Sequence, residues 1–319
     1  MDILASVIIV NWNGKRFLKD LFTALSAQNY PPEAFEVIMV DNCSSDNSIP
    51  YVHETFPNVR IIKNDWNGGF SNGNNLGIKG SLGKYIVLLN NDTIPEPDWL
   101  SELIRVADEQ NAGATVSKLL FAKKRNVINN AGSVLHLDRT WPVTERGSNE
   151  IDSGQYEDVV EVSAFCGASV LLRRTMLQEI GLLDEYFFMY FEDADLSWRA
   201  QKKGWKFYYS PKSVVYHIHT GTSTEHSPLF TYYVSRNRML VLIKNATGII
   251  AIRGITAVLR DRLVYGLRQF LTSLKNHSGR ATALNNLALG SRVFLSLFYY
   301  GIIMLFKRYH LFRETILPS

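Results

Sequence analysis

The chain has 319 residues, of which 46% are hydrophobic and 20% charged, and its net charge is +4. This length and composition suit one globular domain with or without an appendage, and they exclude low-complexity and solenoid-repeat proteins. Two cysteines are too few for a disulfide framework and favour a reducing compartment. The N-terminal segment lacks the basic region of a signal peptide, and its apolar run is too short for one, so we expect a cytoplasmic protein.

The charge is unevenly distributed along the chain. From Phe230 onward there are thirteen Lys and Arg residues against two acidic residues, Asp261 and Glu314. The first 229 residues have the opposite excess, with 21 basic and 28 acidic residues. The two parts are therefore expected to meet different partners.

The first 120 residues alternate apolar runs with amphipathic stretches. The runs SVIIVNW, FEVIMVDN, VRIIKND and YIVLLNND predict four strands, and helices are predicted between them, near Ser48, Ser71 and Asp98. This alternation predicts an α/β fold with a doubly wound, mostly parallel sheet covered on both faces. In such sheets ligands bind outside the carboxyl ends of the strands.

The remainder of the chain is mixed and then helical. Short strands and one clear helix, EDADLSWRAQKKG, are predicted between Ala114 and His219. In that helix Arg199 is interpreted as part of the solvated face. We place a domain boundary after residue 228, followed by a helical region over 229–319.

Two polar clusters follow the first and second strands. Trp12 offers a stacking face and Asp41 accepts hydrogen bonds from ring N–H groups, so this pair suits a nucleobase. Asn11 lies beside them and is assigned to the same ligand. The structural alternative is that such residues only form Asx-turns or cap helices.

Two further clusters suit a diphosphate. The pair Gly68 and Gly69 would bring backbone N–H groups close to phosphates at a helix start, and we assign Asn67 and Asn74 of this segment to the same ligand. At the end of the fourth strand, Asp92 could give one oxygen ligand to Mg²⁺ or Mn²⁺, with phosphate oxygens and water completing the shell.

The segments SVIIVNWNG, VDNCSSDNS, NGGFSNGNNLG, LLNNDT, CGASVLLRR and FEDADLSWR together resemble the family 2 inverting glycosyltransferases with the GT-A fold. The resemblance is strongest to the bacterial rhamnosyltransferase-type branch and covers about residues 5 to 245. It implies that Asp41 binds the base and that Asn91 and Asp92 stand at the family's Asp-x-Asp metal motif. It also implies a GT-A catalytic domain over residues 1–228.

The resemblance further implies that Asp193 is the catalytic base. The segment HIHTGTS resembles the place of a histidine near the metal and diphosphate, where we favour His217 over His219. Because Asn91 replaces the first acid of the metal motif, weaker metal binding or a metal-independent variant stays open; Asn91 itself is assigned to the ribose side of the donor.

Three carboxylates open the predicted helix after the apolar run YFFMYF. The helix dipole favours negative charge there, which alone would explain one or two of them. A carboxylate at the edge of an apolar wall is partly desolvated and becomes a better base. We assign Asp193 as the base, Glu192 to a supporting catalytic role and Asp195 to the acceptor side.

The basic C-terminal region predicts amphipathic helices. One face carries the apolar residues, and a stripe beside it carries the basic ones: Ile252, Ile255, Leu259, Leu263, Phe270 and Leu274, and Arg253, Arg260, Arg268 and Lys275. Such a helix suits an anionic membrane surface. The apolar run Val293 to Phe306 is short of the roughly 20 residues that span a bilayer. Packing on the catalytic domain or on a second copy of the chain is the alternative; no nucleic-acid module is visible.

The expected activity is inverting transfer of a sugar, with rhamnose as the candidate, from a dTDP- or UDP-linked donor to a hydroxyl of a glycan or polyprenyl-linked acceptor. A galactosyl- or N-acetylglucosaminyltransferase of the same fold and a non-catalytic nucleotide-sugar-binding scaffold stay open. A dinucleotide-binding dehydrogenase is excluded, because no G-x-G-x-x-G follows the first strand.

Overall fold

The structure is a computed structural model and describes residues 3–218, 227–276 and 280–316. The chain divides by its contacts into two compact units. The sheet unit comprises Met1–Leu135 and Val143–Thr222, and the helical unit comprises His136–Pro142 and Ser223–Ser319. This division lies a few residues before the predicted boundary, and it adds one short internal segment to the helical unit.

The sheet unit contains twelve strands and six α-helices within the described residues. The strands are β1 (Ala5–Asn11), β2 (Phe35–Asp41), β3 (Arg60–Lys63), β4 (Tyr85–Leu89), β5 (Thr93–Pro95), β6 (Ala114–Phe121), β7 (Lys124–Asn130), β8 (Ser133–Leu135), β9 (Val143–Glu145), β10 (Val160–Val162), β11 (Ser169–Arg173) and β12 (Phe207–His217). The helices are α1 (Lys15–Ser26), α2 (Ser48–Thr55), α3 (Gly69–Gly80), α4 (Trp99–Glu109), α5 (Arg174–Ile180) and α6 (Glu192–Lys202).

The main sheet has the strand order β10-β12-β6-β11-β4-β1-β2-β3, with β5 added to β12 and β7 added to β6. Strands β4, β1, β2 and β3 are parallel, whereas β11 runs antiparallel between β4 and β6. The register pairs Asn11 with Asp41, so the polar ends of β1 and β2 are neighbours. The four predicted N-terminal strands and the α/β class are confirmed.

Both faces of this sheet are covered by apolar side chains. Alternate residues of β1 belong to different hydrophobic clusters, with Ile8 in one and Val7 in the other. Leu18 of α1 completes the second cluster, and Leu196 of α6 completes the first. Burial on both faces explains why these strands are continuous apolar runs rather than alternating ones.

The helical unit contains α7 (Pro228–Asn245), α8 (Gly248–Asn276) and α9 (Arg280–Ile316). Ser227 caps α7, because its hydroxyl accepts a hydrogen bond from the backbone N–H of Phe230 at 3.2 Å. The three helices meet at a small cluster of Met239, Val258 and Val293.

The buried face of α8 differs from the predicted one. Ile255 and Leu259 pack toward the cluster, but Ile252 and Leu263 are 65% and 57% exposed. On α8, an apolar side chain therefore does not by itself indicate a buried position.

Two glycines also lie on the packed face of α8, beside Val258. A Cβ atom on Gly254 would collide with the side chain of Leu242, and one on Gly266 would lie 3.0 Å from the side chain of Leu287. The helices approach closely at these glycines, which leaves larger apolar side chains on the outside.

The apolar part of α9 is longer than the sequence pattern predicts. Helix α9 continues through Arg292, and Leu284–His310 within it is long and apolar enough to cross a membrane by length and composition. About a third of the 18 most apolar consecutive residues in this stretch are buried inside the protein.

Candidate active site

Asn11, the last residue of β1, connects the ends of three strands. Its Nδ2 donates to Asp41 Oδ1 at 3.1 Å and to Ser44 Oγ at 3.2 Å. Its Oδ1 accepts from Asn91 Nδ2 at 3.0 Å. Asp41 also accepts from the backbone N–H of Ser44 at 2.9 Å. The buried network fixes the orientation of the Asp41 carboxylate and engages the Asn91 amide.

The loops after β1 and β2 are held together beside this network. Asn13, in the left-handed region with φ 51°, donates from its backbone to Ser44 Oγ at 2.9 Å. Its side-chain oxygen accepts from the backbone of Ser45 at 2.7 Å. Trp12 is 46% exposed at the edge of these loops, so its ring is accessible to a ligand near Asp41.

The start of α3 does not present its amides as expected. The backbone N–H groups of Phe70 and Ser71 both donate to the carbonyl of Phe188, at 2.7 and 3.2 Å. The N–H of Gly69 donates to Asn67 Oδ1 at 3.0 Å. The diphosphate role predicted for this helix start therefore does not fit, because a protein carbonyl and an amide oxygen already accept these hydrogen bonds.

Asn74 and Gly69 have structural tasks in the same place. Asn74 is buried and donates to the carbonyl of Phe70 at 2.9 Å. Gly69 has φ +74°, and a Cβ atom there would lie 2.5 Å from the carbonyl oxygen of Phe188. Glycine thus permits the close approach between α3 and the segment that leads into α6.

That segment has an unusual backbone. Phe188, Tyr190 and Phe191 all have positive φ, at 64°, 68° and 70°. Bulky residues rarely adopt this region, and such conformations cluster at functional sites. This segment directly precedes Glu192 and Asp193, the first two residues of α6.

Asp193 lies close to the carboxyl end of β4. Its Oδ2 accepts from the backbone N–H of Gly167 at 3.3 Å, and its Oδ1 accepts from the N–H of Ala194 at 2.7 Å. Gly167 precedes Ala168, whose carbonyl accepts from the backbone N–H of Asn90 at 3.0 Å. The candidate base therefore lies beside the same strand end that leads to the predicted metal motif.

The electrostatics of this carboxylate pair favour proton uptake. Burial raises the pKa of Asp193. Burial, and then the neighbouring charge of Asp193, raise the pKa of Glu192 well above its ordinary range. Oε2 of Glu192 is buried and has no hydrogen-bond partner among the described residues. Both carboxylates therefore have a raised proton affinity, and the pKa of Glu192 is raised further by the charge of its neighbour.

Asp195 has a structural role that the sequence does not reveal. It is fully buried and accepts from Arg199 Nε at 2.9 Å. The same guanidinium donates to the carbonyls of Gly181 and Leu182, at 3.2 and 2.7 Å. The predicted acceptor-side role of Asp195 does not fit these contacts, and the prediction of a solvated Arg199 is wrong.

Asp92 lies opposite His217. The strands β5 and β12 pair Thr93 with His217, and the backbone N–H of Ile218 donates to the carbonyl of Asp92 at 2.9 Å. Asp92 Oδ1 and His217 Nε2 are 3.4 Å apart, and both side chains are buried. His219, the alternative, lies outside the described residues.

The other ring nitrogen of His217 has a partner as well. Its Nδ1 is 2.9 Å from Oδ1 of the buried Asn129. Within residues 3–218, 227–276 and 280–316 there is no group of three or more His, Cys, Asp and Glu that could hold a metal. The protein thus offers one carboxylate and one imidazole as possible ligands. This set suits Mn²⁺ better than Mg²⁺, which prefers oxygen ligands alone.

The sequence profile of glycosyl transferase family 2 matches residues 6–181, more than half of the chain. The chain belongs to this family. This family 2 glycosyltransferase is 29% identical over 207 residues to the O-antigen biosynthesis protein RfbC of Myxococcus xanthus, a match covering 62% of this chain but only 16% of RfbC. It is 27% identical over 251 residues to an N-acetylglucosaminyl-diphospho-decaprenol L-rhamnosyltransferase of Mycobacterium tuberculosis, covering 70% of this chain and 78% of that protein.

A solved structure supports the same fold. The mannosyltransferase PcManGT of Pyrobaculum calidifontis, in complex with GDP-Man and Mn²⁺, matches this glycosyltransferase with a TM-score of 0.56 at 13% identity. The match covers 94% of this chain and 87% of that one. The predicted GT-A fold is confirmed, as is the prediction that the protein is a glycosyltransferase.

Four contacts of the site are absent from the sequence prediction. Ser44 lies in the predicted polar cluster DNCSSDNS, so its role could have been suspected. Gly167 lies in the predicted segment CGASVLLRR, but only the fold directs its N–H to Asp193. Phe188 and Asn129 carry no sequence signal, because each acts across elements that are distant along the chain.

Proposed function

We propose that this family 2 glycosyltransferase transfers a sugar, with rhamnose as the leading candidate, from a dTDP- or UDP-linked donor to a hydroxyl of a glycan or polyprenyl-linked acceptor in cell-surface polysaccharide synthesis. The configuration at C1 is inverted. The observation that carries the proposal is the carboxylate pair of the buried Glu192 and the half-buried Asp193, with raised pKa values, beside the strand end that leads to Asp92.

The donor's base would bind at the ends of β1 and β2. Asp41 would accept a hydrogen bond from a ring N–H, and its orientation by Asn11 and Ser44 leaves lone pairs for this contact. The exposed ring of Trp12 would stack on the base. Asp41 and Trp12 would thus recognise the nucleotide but would not determine which sugar is bound.

Asp92 and His217 are the residues that would hold the metal. Mn²⁺, when bound, neutralises the charge that develops on the departing diphosphate. Both residues are buried; His217 belongs to β12, and Asp92 directly precedes β5, which pairs with β12, so their positions are fixed before the donor arrives. The donor's phosphate oxygens would complete the coordination.

Asp193 would act on the acceptor. As the acceptor oxygen forms its bond to C1, its proton passes to the Asp193 carboxylate, and the bond from C1 to the diphosphate oxygen breaks with its electron pair. The raised pKa of Asp193 increases its proton affinity and so makes it a stronger base than an exposed aspartate. The hydrogen bonds from Gly167 and Ala194 orient the carboxylate without occupying all its lone pairs.

The choice of rhamnose rests on one relative, the L-rhamnosyltransferase at 27% identity. A galactosyl- or N-acetylglucosaminyltransferase would use the same residues. A non-catalytic scaffold is the candidate of a different class, favoured only by Asn91 at the first position of the metal motif.

A panel of nucleotide sugars tests the proposal by thermal shift, with and without Mn²⁺, because a specific ligand raises the melting temperature by mass action. We expect one dTDP- or UDP-sugar to stabilise the protein, more so with Mn²⁺, and the Asp41→Ala variant to lose this shift. The same donor is then incubated with lipid-linked acceptors and product is measured. Donor binding without any product would favour the scaffold, and no shift with any donor would contradict both.

We also propose that the helical unit binds an anionic membrane surface. Its packed positions include small residues, as at Gly254 and Gly266, and many of its exposed positions are large and apolar, which is typical of helices that meet lipid. The exposed residues of α9 include Phe294, Leu295, Phe298, Tyr299, Ile302, Leu305 and Phe306. The basic excess after residue 230 adds attraction to anionic headgroups.

Flotation of the full chain with lipid vesicles tests this surface. We expect binding to vesicles that contain phosphatidylglycerol, weaker binding to neutral vesicles, and loss of binding in the variant Phe298→Glu/Ile302→Glu. Alkaline carbonate extraction then separates surface binding from spanning by α9. A stable dimer that floats with neither vesicle type would show that a second copy covers this face instead.

A further inference from the structure

Asn129 lies at a bulge of β7. Consecutive residues of β6, Leu119 and Leu120, pair with Asn130 and Ile128, so Asn129 is the extra residue on β7. Bulges of this kind redirect a side chain and are over-represented next to active sites. The local structure therefore aims Asn129 away from the regular pleat.

The target of Asn129 is on a different strand. Both β7 and β12 pair with β6, one on each side, so their backbones are separated by about 9–10 Å, or two strand spacings. Nevertheless Asn129 Oδ1 lies 2.9 Å from His217 Nδ1, and both side chains are buried. The contact crosses β6 and joins the bulge to the candidate metal ligand.

This contact selects one form of the imidazole. An amide oxygen has no proton to donate, so Nδ1 of His217 must carry the ring proton. In the neutral ring the lone pair is then on Nε2, the atom 3.4 Å from Asp92 Oδ1. Nε2 of His217 and the Asp92 carboxylate are thus close enough to bind one cation together.

We infer that Asn129 is a positioning residue that fixes the Nδ1–H tautomer of His217 and so presents Nε2, together with Asp92, as a Mn²⁺ ligand. This inference rests on the metal site proposed above. Hydrogen-bond partners of metal-binding histidines typically change metal affinity or activity by about 10–100-fold when they are removed.

The neighbouring Asn130 provides a matched control. Its side chain accepts from the backbone N–H of Gly132 at 2.7 Å and donates to Ser133 Oγ at 3.0 Å, so it stabilises the following turn. Asn130→Ala removes two hydrogen bonds from the same hairpin without touching His217. An effect of Asn129 that is only structural would be reproduced by this variant.

Mn²⁺ binding to the full chain is measured by electron paramagnetic resonance of the free ion. We expect Asn129→Ala to weaken Mn²⁺ binding about 10–100-fold, while Asn129→Asp, which keeps an acceptor oxygen, and Asn130→Ala stay close to wild type. Equal affinity of Asn129→Ala and wild type would overturn the inference, as would equal weakening in Asn130→Ala.

The tautomer is read without metal, by long-range proton–nitrogen correlation NMR of histidine-labelled protein, with His217→Gln assigning the signals. We expect Nδ1 of His217 to be the protonated nitrogen in wild type and Asn129→Asp, and this preference to be lost in Asn129→Ala. A ring protonated on Nε2 alone in wild type would overturn the inference. If wild type binds no Mn²⁺, the metal part of the proposed function fails, and the NMR result alone decides the role of Asn129.

Discussion

Removing the carboxylate of Asp195 should unfold the sheet unit more easily rather than weaken acceptor binding. The variant Asp195→Ala leaves the Arg199 guanidinium buried without its anionic partner, 2.9 Å away in the wild type. Breaking a buried ion pair in this way costs about 3–5 kcal/mol of unfolding free energy. For a unit of 150–250 residues each kcal/mol lowers the melting temperature by about 2–4 °C, so the expected decrease is about 6–20 °C.

An exposed ion pair with the same helical spacing is the control. Arg105 and Glu109 of α4 are 2.6 Å apart, and both side chains are exposed. Glu109→Ala should therefore change the unfolding free energy by about 0.3–0.5 kcal/mol.

The assay is thermal and urea unfolding followed by circular dichroism, together with the KM for acceptor. A melting temperature of Asp195→Ala within the range of the Glu109→Ala control, combined with a raised acceptor KM, would refute the structural role. It would restore Asp195 to the acceptor side.

Three further predictions concern the site. Asn91→Asp restores the acid of the family's metal motif, but it replaces the N–H group that donates to Asn11 Oδ1 by an oxygen. We therefore expect the free energy of unfolding in urea to fall by about 1–3 kcal/mol and the Mn²⁺ affinity not to rise. Tighter Mn²⁺ binding would contradict this. In Gly69→Ala the alanine would need a positive φ, and its Cβ would collide with the Phe188 carbonyl. We expect the free energy of unfolding to fall by at least about 1–2 kcal/mol and kcat to decrease. A wild-type kcat would contradict the coupling between α3 and the segment that leads into α6. Asp193 acts as a base only when it is deprotonated, and its pKa is raised. We therefore expect kcat/KM to fall with decreasing pH at a pH above the pKa of an ordinary aspartate. An acid limb of the pH–rate profile at the ordinary aspartate pKa would exclude Asp193 as the base.

The sequence predicts the fold of the sheet unit well because its strands are buried on both faces. Burial on both sides forces continuous apolar runs, as in β1 and β4, and these are visible without a structure. The polar residues that end such runs must share one edge of a parallel sheet. This is why Asn11, Asp41 and Asn91 could be assigned to one site, and the structure connects all three by hydrogen bonds.

What the sequence could not predict depends on contacts between distant segments. From the sequence, the backbone amides at the start of α3 are expected to be available to a ligand, but in the structure they donate to the Phe188 carbonyl. Asp195 looks like a surface carboxylate until the fold buries it against Arg199. The bulge that directs Asn129 to His217 is a property of strand register, which no local pattern specifies.

The helical unit departs from prediction for a different reason. Amphipathic analysis assumes that all the large apolar side chains of a helix face inward, whereas α8 packs through Gly254 and Gly266 as well as through Val258. Ile252 and Leu263 are consequently exposed. Helices that pack through small residues therefore need a structure before their outer face can be assigned.

The most direct test of the account is sugar transfer by Asp193→Asn, with Asp20→Asn as a control at an exposed carboxylate of α1. The measurement is product formation from a saturating nucleotide-sugar donor, alongside the donor-induced thermal shift of the same preparations. The account predicts that Asp193→Asn keeps the thermal shift and loses at least about 100-fold in kcat, the lower end of what a general base contributes, while Asp20→Asn behaves as wild type. Transfer by Asp193→Asn at a rate close to wild type would contradict the assignment of the base and, with it, the proposed mechanism.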